Sequence, residues 1–133
     1  MLMIVLSIDD FAKQWLSILN APDFLICPVG PSATPLHDTA RYWGYTAIFN
    51  LLNIPACKFP TGVVCSSTLH PADTSYKPRD SEFDVYNWAN YHPSAFESAP
   101  VCLQIVGRKC DCERVMKAAE VVTEALGSGY KAK

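Results

Sequence analysis

A chain of 133 residues, half of them apolar and 18% charged, is long enough for one domain with a sizeable core, and its composition is not that of a disordered protein. Eleven basic against thirteen acidic side chains give a formal net charge of -2 with no block of like charge. That balance excludes the electrostatic footprint of a nucleic-acid binder or of a protein held on an anionic membrane.

The N-terminal run "MLMIVLSI" is apolar, but no basic residue precedes it and Asp9-Asp10 follows directly. Neither a secretory signal nor a spanning helix, which needs about 20 apolar residues, is expected. Ser7 and Asp10 read as a variant capping box, and Phe11, Trp15, Ile18 and Leu19 recur at helical spacing, so residues 8–20 are expected to form an amphipathic helix. Pro22 and Asp23 stop it. The next run, "FLICPV" (24–29), is bounded by turn formers and reads as a strand buried on both faces.

"GPSATPLHD" is expected to be loop, with Asp38 or Thr39 capping a second helix that places Tyr42, Tyr45, Phe49 and Leu52 on one stripe and ends at Asn53 and Pro55. "ACKF" and "GVVC" read as short strands or strand ends around a bend at Pro60 and Gly62. From Ser66 to Pro100 no strong periodicity is visible, yet the segment holds six of the chain's fifteen aromatics. Disordered segments are poor in aromatics, so this excursion is expected to be an ordered loop pinned by them.

"VCLQIV" (101–106) is a strand ending at Gly107. Asp111 is expected to cap a last helix with Val115, Ala119, Val122 and Leu126 on its apolar face, Gly127 as its stop and a frayed tail "SGYKAK". The element order points to an α/β layer arrangement. Its doubly apolar strands want neighbours on both edges, and the chain supplies few, so the sheet is expected to be incomplete.

Four of the six cysteines (27, 57, 65 and 102) sit in apolar runs, where a free thiol acts as a small hydrophobe, and a reduced, cytoplasmic protein is expected. Cys110 and Cys112 form C-x-C without a second pair, so no metal site is expected, nor any cofactor. Cys27 with His37, or Cys65 with His70, could in principle supply a nucleophile and base, but thiols in apolar runs are raised in pKa and inert. Asp80, Glu82 and Asp84 in "RDSEFD" read as a solvated loop.

Three ordered blocks carry a family resemblance: "DFLICP" (23–28), N-x-x-x-I-P-A-x-x-F-P-T-G (50–62) and "APVCLQIVGR" (99–108) leading into the last helix. Together they resemble the C-terminal part of amidase signature enzymes, particularly the fungal acetamidase-like branch, over about residues 10–126. The resemblance implies that residues 1–133 are a partial amidase domain with part of a mixed β-sheet and flanking helices. It implies hydrolysis of carbon–nitrogen bonds in small amides by a serine nucleophile, a second serine and a lysine, with backbone donors from a Gly/Ser-rich loop.

This sequence has no such loop. Its adjacent serines, Ser66-Ser67, lack a preceding glycine pair, and neither Lys58 nor Lys77 stands in the family's lysine context. The expectation is therefore a C-terminal fragment without catalytic residues; the alternative is a non-catalytic α/β module that binds a protein partner through its unfinished sheet. Trp43 and Tyr45 are the candidate substrate-binding residues, as aromatics that could face the acyl pocket. Ordinary core packing on a helical stripe is the competing reading for both.

Overall fold

The computed structural model describes residues 10–15, 17 and 22–127. Residues 10–15 and 17 are helical (α1), inside the expected span, while the cap at Ser7, the apolar positions Ile18 and Leu19, and the tail from residue 128 lie outside the described residues. The other elements are β1 (Leu25–Pro28), α2 (Ala47–Leu52), β2 (Ala56–Val64), α3 (Glu82–Ala89), β3 (Pro100–Val106) and α4 (Cys112–Ala125). The expected α/β layering is observed. The three strands form one antiparallel sheet in the order β1-β3-β2.

The central place of β3 follows from its composition, because a strand apolar on both faces is stable only between two neighbours and two layers. Its residues divide by parity. Ile105 and Leu103 pair with Cys57 and Phe59 and pack on Val115 and Ala119 of α4. On the other face, Val106 packs with Phe49, Leu52 and Ile54, and Trp15 of α1 meets Phe49 edge-on at 6.3 Å. Ile105, Val106 and Val115 are the most deeply buried large side chains.

Three expectations need correction. The second helix does not begin at Asp38 or Thr39. Residues 39–43 are irregular, Asp38 is left-handed (φ 62°), and α2 starts at Ala47. The reason lies in Gly44 and the aromatics: the Tyr42 ring folds over Gly44 so closely that a Cβ there would overlap it. The same ring packs 5.2 Å from Phe83, so Tyr42 serves the excursion rather than a helical stripe. The end of α2 is as expected, with Asn53 left-handed (φ 51°) and the Ile54 amide donating to Phe49 O, a helix stop reinforced by Pro55.

Second, "ACKF" and "GVVC" belong mostly to one strand, β2, with a register irregularity between Pro60 and Val64. Thr61 spans that break: its Oγ1 donates to Val101 O (2.8 Å) and accepts from the Val63 amide (3.2 Å). Third, the excursion contains α3, whose eight residues include none that is fully buried. A helix with no buried stripe leaves no periodic trace.

The last helix begins after Asp111 as expected, but its carboxylate pairs with Arg114 at 3.2 Å and makes no side-chain cap. Val115 and Ala119 are buried and Val122 packs against their cluster. Leu126, expected on the apolar face, is 52% exposed, since it follows the last turn and lies past the sheet. Gly127 does adopt the left-handed stop (φ 66°).

Candidate functional site

The face of β3 opposite α4 carries a concavity. Beyond Val106 the same parity presents Gln104 and Cys102, with Lys58 of β2 paired to Gln104. Loop 29–43 and α3 rise on either side of this strip. They enclose a cleft of about 300 Å³ lined by Pro31, Trp43, Lys58, Tyr86, Asn90 and Cys102, among others.

Gln104, 3% exposed, is the one buried polar side chain among the described residues. Its Nε2 donates to Pro28 O and to Tyr45 O, each at 2.7 Å. One amide thus holds the end of β1 and the 44–46 turn against the central strand, and so sets both ends of the loop carrying Trp43. A buried polar group that satisfies two carbonyls positions backbone at little net cost, whereas removing it would orphan both acceptors. Beside it, burial pushes the Cys27 thiol up in pKa, opposed in part by the neighbouring Gln104 side chain. A thiol so raised is a poor nucleophile.

The two sequence candidates separate. Trp43 lines the cleft with 64% of its surface exposed. Tyr45 does not line it; its ring packs edge-on against Tyr42 at 5.6 Å, and its contribution to the site is the carbonyl held by Gln104. Sequence reading did not single out Gln104, Arg41 or Asn90, and weighed Lys58 only as a base. The Arg41 guanidinium lies over the Tyr86 ring at 4.3 Å and ties the loop to α3. Lys58 and Gln104 were legible in principle, because alternation from the core residues Phe59 and Ile105 puts both on the opposite face.

The remaining nucleophile candidates are accounted for by structure. Ser66 and Ser67 follow β2, and their amides are occupied: Ser66 N donates to His70 Nδ1 (3.1 Å) and Ser67 N to Glu97 Oε2 (2.7 Å). That bond to the Ser67 amide holds the Glu97 carboxyl below its usual range. Neither amide is free to meet an oxyanion. His37 is exposed and lines neither this cleft nor the cavity beside it. Cys65 is buried and joined through its backbone to Ala99 and Ser98, and His70, in the same cavity wall, has Nδ1 committed as an acceptor. In "RDSEFD", Asp84 is not a loop residue but stands in the first turn of α3, accepting from Arg79 N and from Tyr76 OH, each at 2.7 Å.

All six cysteines are free, with Cys110 and Cys112 exposed. Among the described residues no group of three His, Cys, Asp or Glu side chains could hold a metal ion, and no helix is long and apolar enough to cross a membrane.

A sheet covered by a helix on one face and presenting a cleft on the other is the layering of α/β proteins that bind small molecules against a sheet. The profile of the Amidase family matches residues 3–116, and the chain belongs to that family. It is 37% identical over 109 residues to Amidase FG08078 of Gibberella zeae, covering 78% of this chain and 19% of the relative. It is 34% identical over 106 residues to the acetamidase of Emericella nidulans, covering 80% of this chain and 19% of that protein. A solved fatty acid amide hydrolase superposes with a TM-score of 0.81 at 30% identity, over 92% of this chain and 22% of its own. The chain thus spans about a fifth of the length of the relatives it matches.

Proposed function

We propose that residues 1–133 are a partial amidase domain, the C-terminal part of a hydrolase acting on carbon–nitrogen bonds of small amides, and that they supply one wall of its substrate cleft without the nucleophile, second serine or lysine. The observation that carries this reading is the cleft itself: an aromatic as exposed as Trp43, at 64%, stands over a concavity of small-molecule size. Trp43 acts in it as a substrate-contacting side chain, and Tyr45 acts through its backbone. Amide hydrolysis needs an activated nucleophile and preorganised oxyanion donors, and the one serine pair here has both amides engaged by His70 and Glu97. Six free cysteines support a cytoplasmic setting.

Two experiments test this. The purified chain incubated with acetamide or benzamide is expected to hydrolyse neither above a denatured control; turnover that survives repurification and is lost on Ser66→Ala with Ser67→Ala would overturn the inactive reading. Residues 10–126 grafted in place of the matching segment of the Emericella nidulans acetamidase are expected to sustain activity. In that graft Trp43→Ala is expected to shift KM or acyl preference by a factor of about ten. No change would remove Trp43 from the site.

A second reading, a module that binds a protein partner through its unfinished sheet, is favoured by one observation. Ile26 on β1 and Val63 and Val64 on β2, the two outer strands, are 48%, 51% and 52% exposed. Such edges template association, so the chain expressed alone is expected to be oligomeric or poorly soluble. Co-expression with the remaining part of a related amidase should raise its soluble yield under the first reading and leave it unchanged under the second.

A further inference from the structure

Beside the cleft lies a second cavity of about 390 Å³, walled by Tyr76, Trp88, Tyr91, Asp84 and His70. Pro31, Ser32, Ala33, Asn87 and Tyr91 line both spaces, so the two are adjacent. Three features give the second cavity its own chemistry. Its aromatics form a connected group, with Trp88 4.8 Å from Tyr76 and 6.4 Å from Tyr91 between ring centroids. One carboxylate lines it from the first turn of α3; Asp84 Oδ2 is fixed by the Arg79 amide and the Tyr76 hydroxyl, which, with a smaller contribution from the Arg79 charge, hold its pKa below the usual range. The surrounding segment 66–100 carries five acidic side chains (Asp73, Asp80, Glu82, Asp84, Glu97) against Lys77 and Arg79, so it is more acidic than the chain as a whole.

Three aromatic rings packed on one another in one cavity wall, beside an ionised carboxylate, favour a soft, weakly hydrated cation. The ring quadrupoles attract the charge while the rings shed the water that a compact ammonium would have to lose. A neutral ligand would gain the apolar contact but nothing from Asp84, and an anion would be repelled. The cavity volume falls within the ~300–1,000 Å³ of small-molecule sites.

We propose that this cavity is a binding site for a small organic cation, an alkylated ammonium group held by the rings of Tyr76, Trp88 and Tyr91 and the carboxylate of Asp84. The cation is a free ligand or the tail of an amide whose carbonyl end lies in the adjoining cleft; only the latter rests on the function proposed above.

The chain purified as a fusion to a soluble carrier, with the carrier alone as blank, is titrated with choline and with 3,3-dimethylbutan-1-ol, its uncharged isostere, and binding is read from NMR line broadening of the ligand methyl signals. Choline is expected to bind and the alcohol to bind at least about tenfold more weakly. Trp88→Leu and Asp84→Asn are each expected to weaken choline by a similar factor, while Tyr76→Phe, which keeps the ring and removes its hydrogen bond to Asp84, is expected to retain most of the binding. Equal binding of the two ligands, no binding of choline, or indifference to both Trp88→Leu and Asp84→Asn would overturn the site. In the acetamidase graft, preference for an amide with a trimethylammonium tail over its neutral isostere would identify the cation as substrate. Choline binding without that preference assigns the site to a free cation and leaves the amidase reading untouched, and loss of graft activity leaves the binding result standing.

Discussion

Around β3 the side chains of Ile105, Val106 and Val115 are 2%, 0% and 1% exposed, whereas between residues 66 and 99 the only buried aromatic is Phe96, at 4%. The sheet and α4 are held by burial on both faces. The excursion is held by ring contacts linking Tyr76, Trp88, Tyr91 and Phe96, and by carboxylates of Asp73, Asp84 and Glu97 that accept amide or hydroxyl hydrogen bonds near the surface. Burial is strong, non-directional and insensitive to pH; surface hydrogen bonds to carboxylates are weaker and vanish on protonation. Both cavities lie along the seam between these regions, so each is walled partly by the sheet and partly by the excursion.

The largest expected effect is on the rigid side. Val115→Asp places an unpaired carboxylate between Phe59 and Ile105 and should cost more than about 4 kcal/mol, abolishing a cooperative thermal melt. A preserved melt would show that α4 is not docked on the sheet. Next is Gln104→Leu, which orphans Pro28 O and Tyr45 O and should cost about 2–4 kcal/mol in denaturant unfolding. In the graft it should also disturb substrate binding, since loop 29–43 loses its anchor at both ends. Gly107→Ala drives a Cβ into Val115 and should cost about 1–3 kcal/mol.

Acid should separate the two regions. The carboxyls of Asp73, Asp84 and Glu97 are lowered by bonds from the Ser75 hydroxyl, the Arg79 amide and the Ser67 amide respectively. A carboxyl with a lowered folded pKa contributes its stability in full above the unfolded value of about 4 and loses it as pH falls through the folded value. The protection of the Ser67 and Arg79 amides against hydrogen exchange, taken relative to their intrinsic rates, is therefore expected to fall below about pH 4 while the amides of β3 stay protected. Simultaneous loss in both would make excursion and sheet one cooperative unit. Smallest of all, Leu126→Ala should change stability by no more than about 0.5 kcal/mol, because that side chain is 52% exposed.

What could be read from the chain alone was whatever burial writes into local order. The apolar runs 24–29 and 101–106 became β1 and the central strand, although β1 lies at the sheet edge with Ile26 48% exposed and is not buried on both faces as expected; the period of Val115, Ala119 and Val122 became the docked face of α4, and Asn53 with Pro55 ended α2. The ordered family blocks fall on these same elements, because strands and helix stops are specified by neighbours in sequence. The cleft was not legible in that way. Its walls come from segments between about 15 and 70 positions apart, and which residues meet across it depends on strand register, on one amide of Gln104 and on ring packing between Tyr42 and Phe83. Gly44 shows the limit most plainly: nothing nearby in the chain announces that Tyr42 will fold over it, and that fold, made with a partner 41 residues away, replaces the expected helix by a loop and puts Trp43 at the rim. Local sequence sets propensities and apolar periods, whereas a site made of side chains from distant segments exists only once the chain has closed the loops between them.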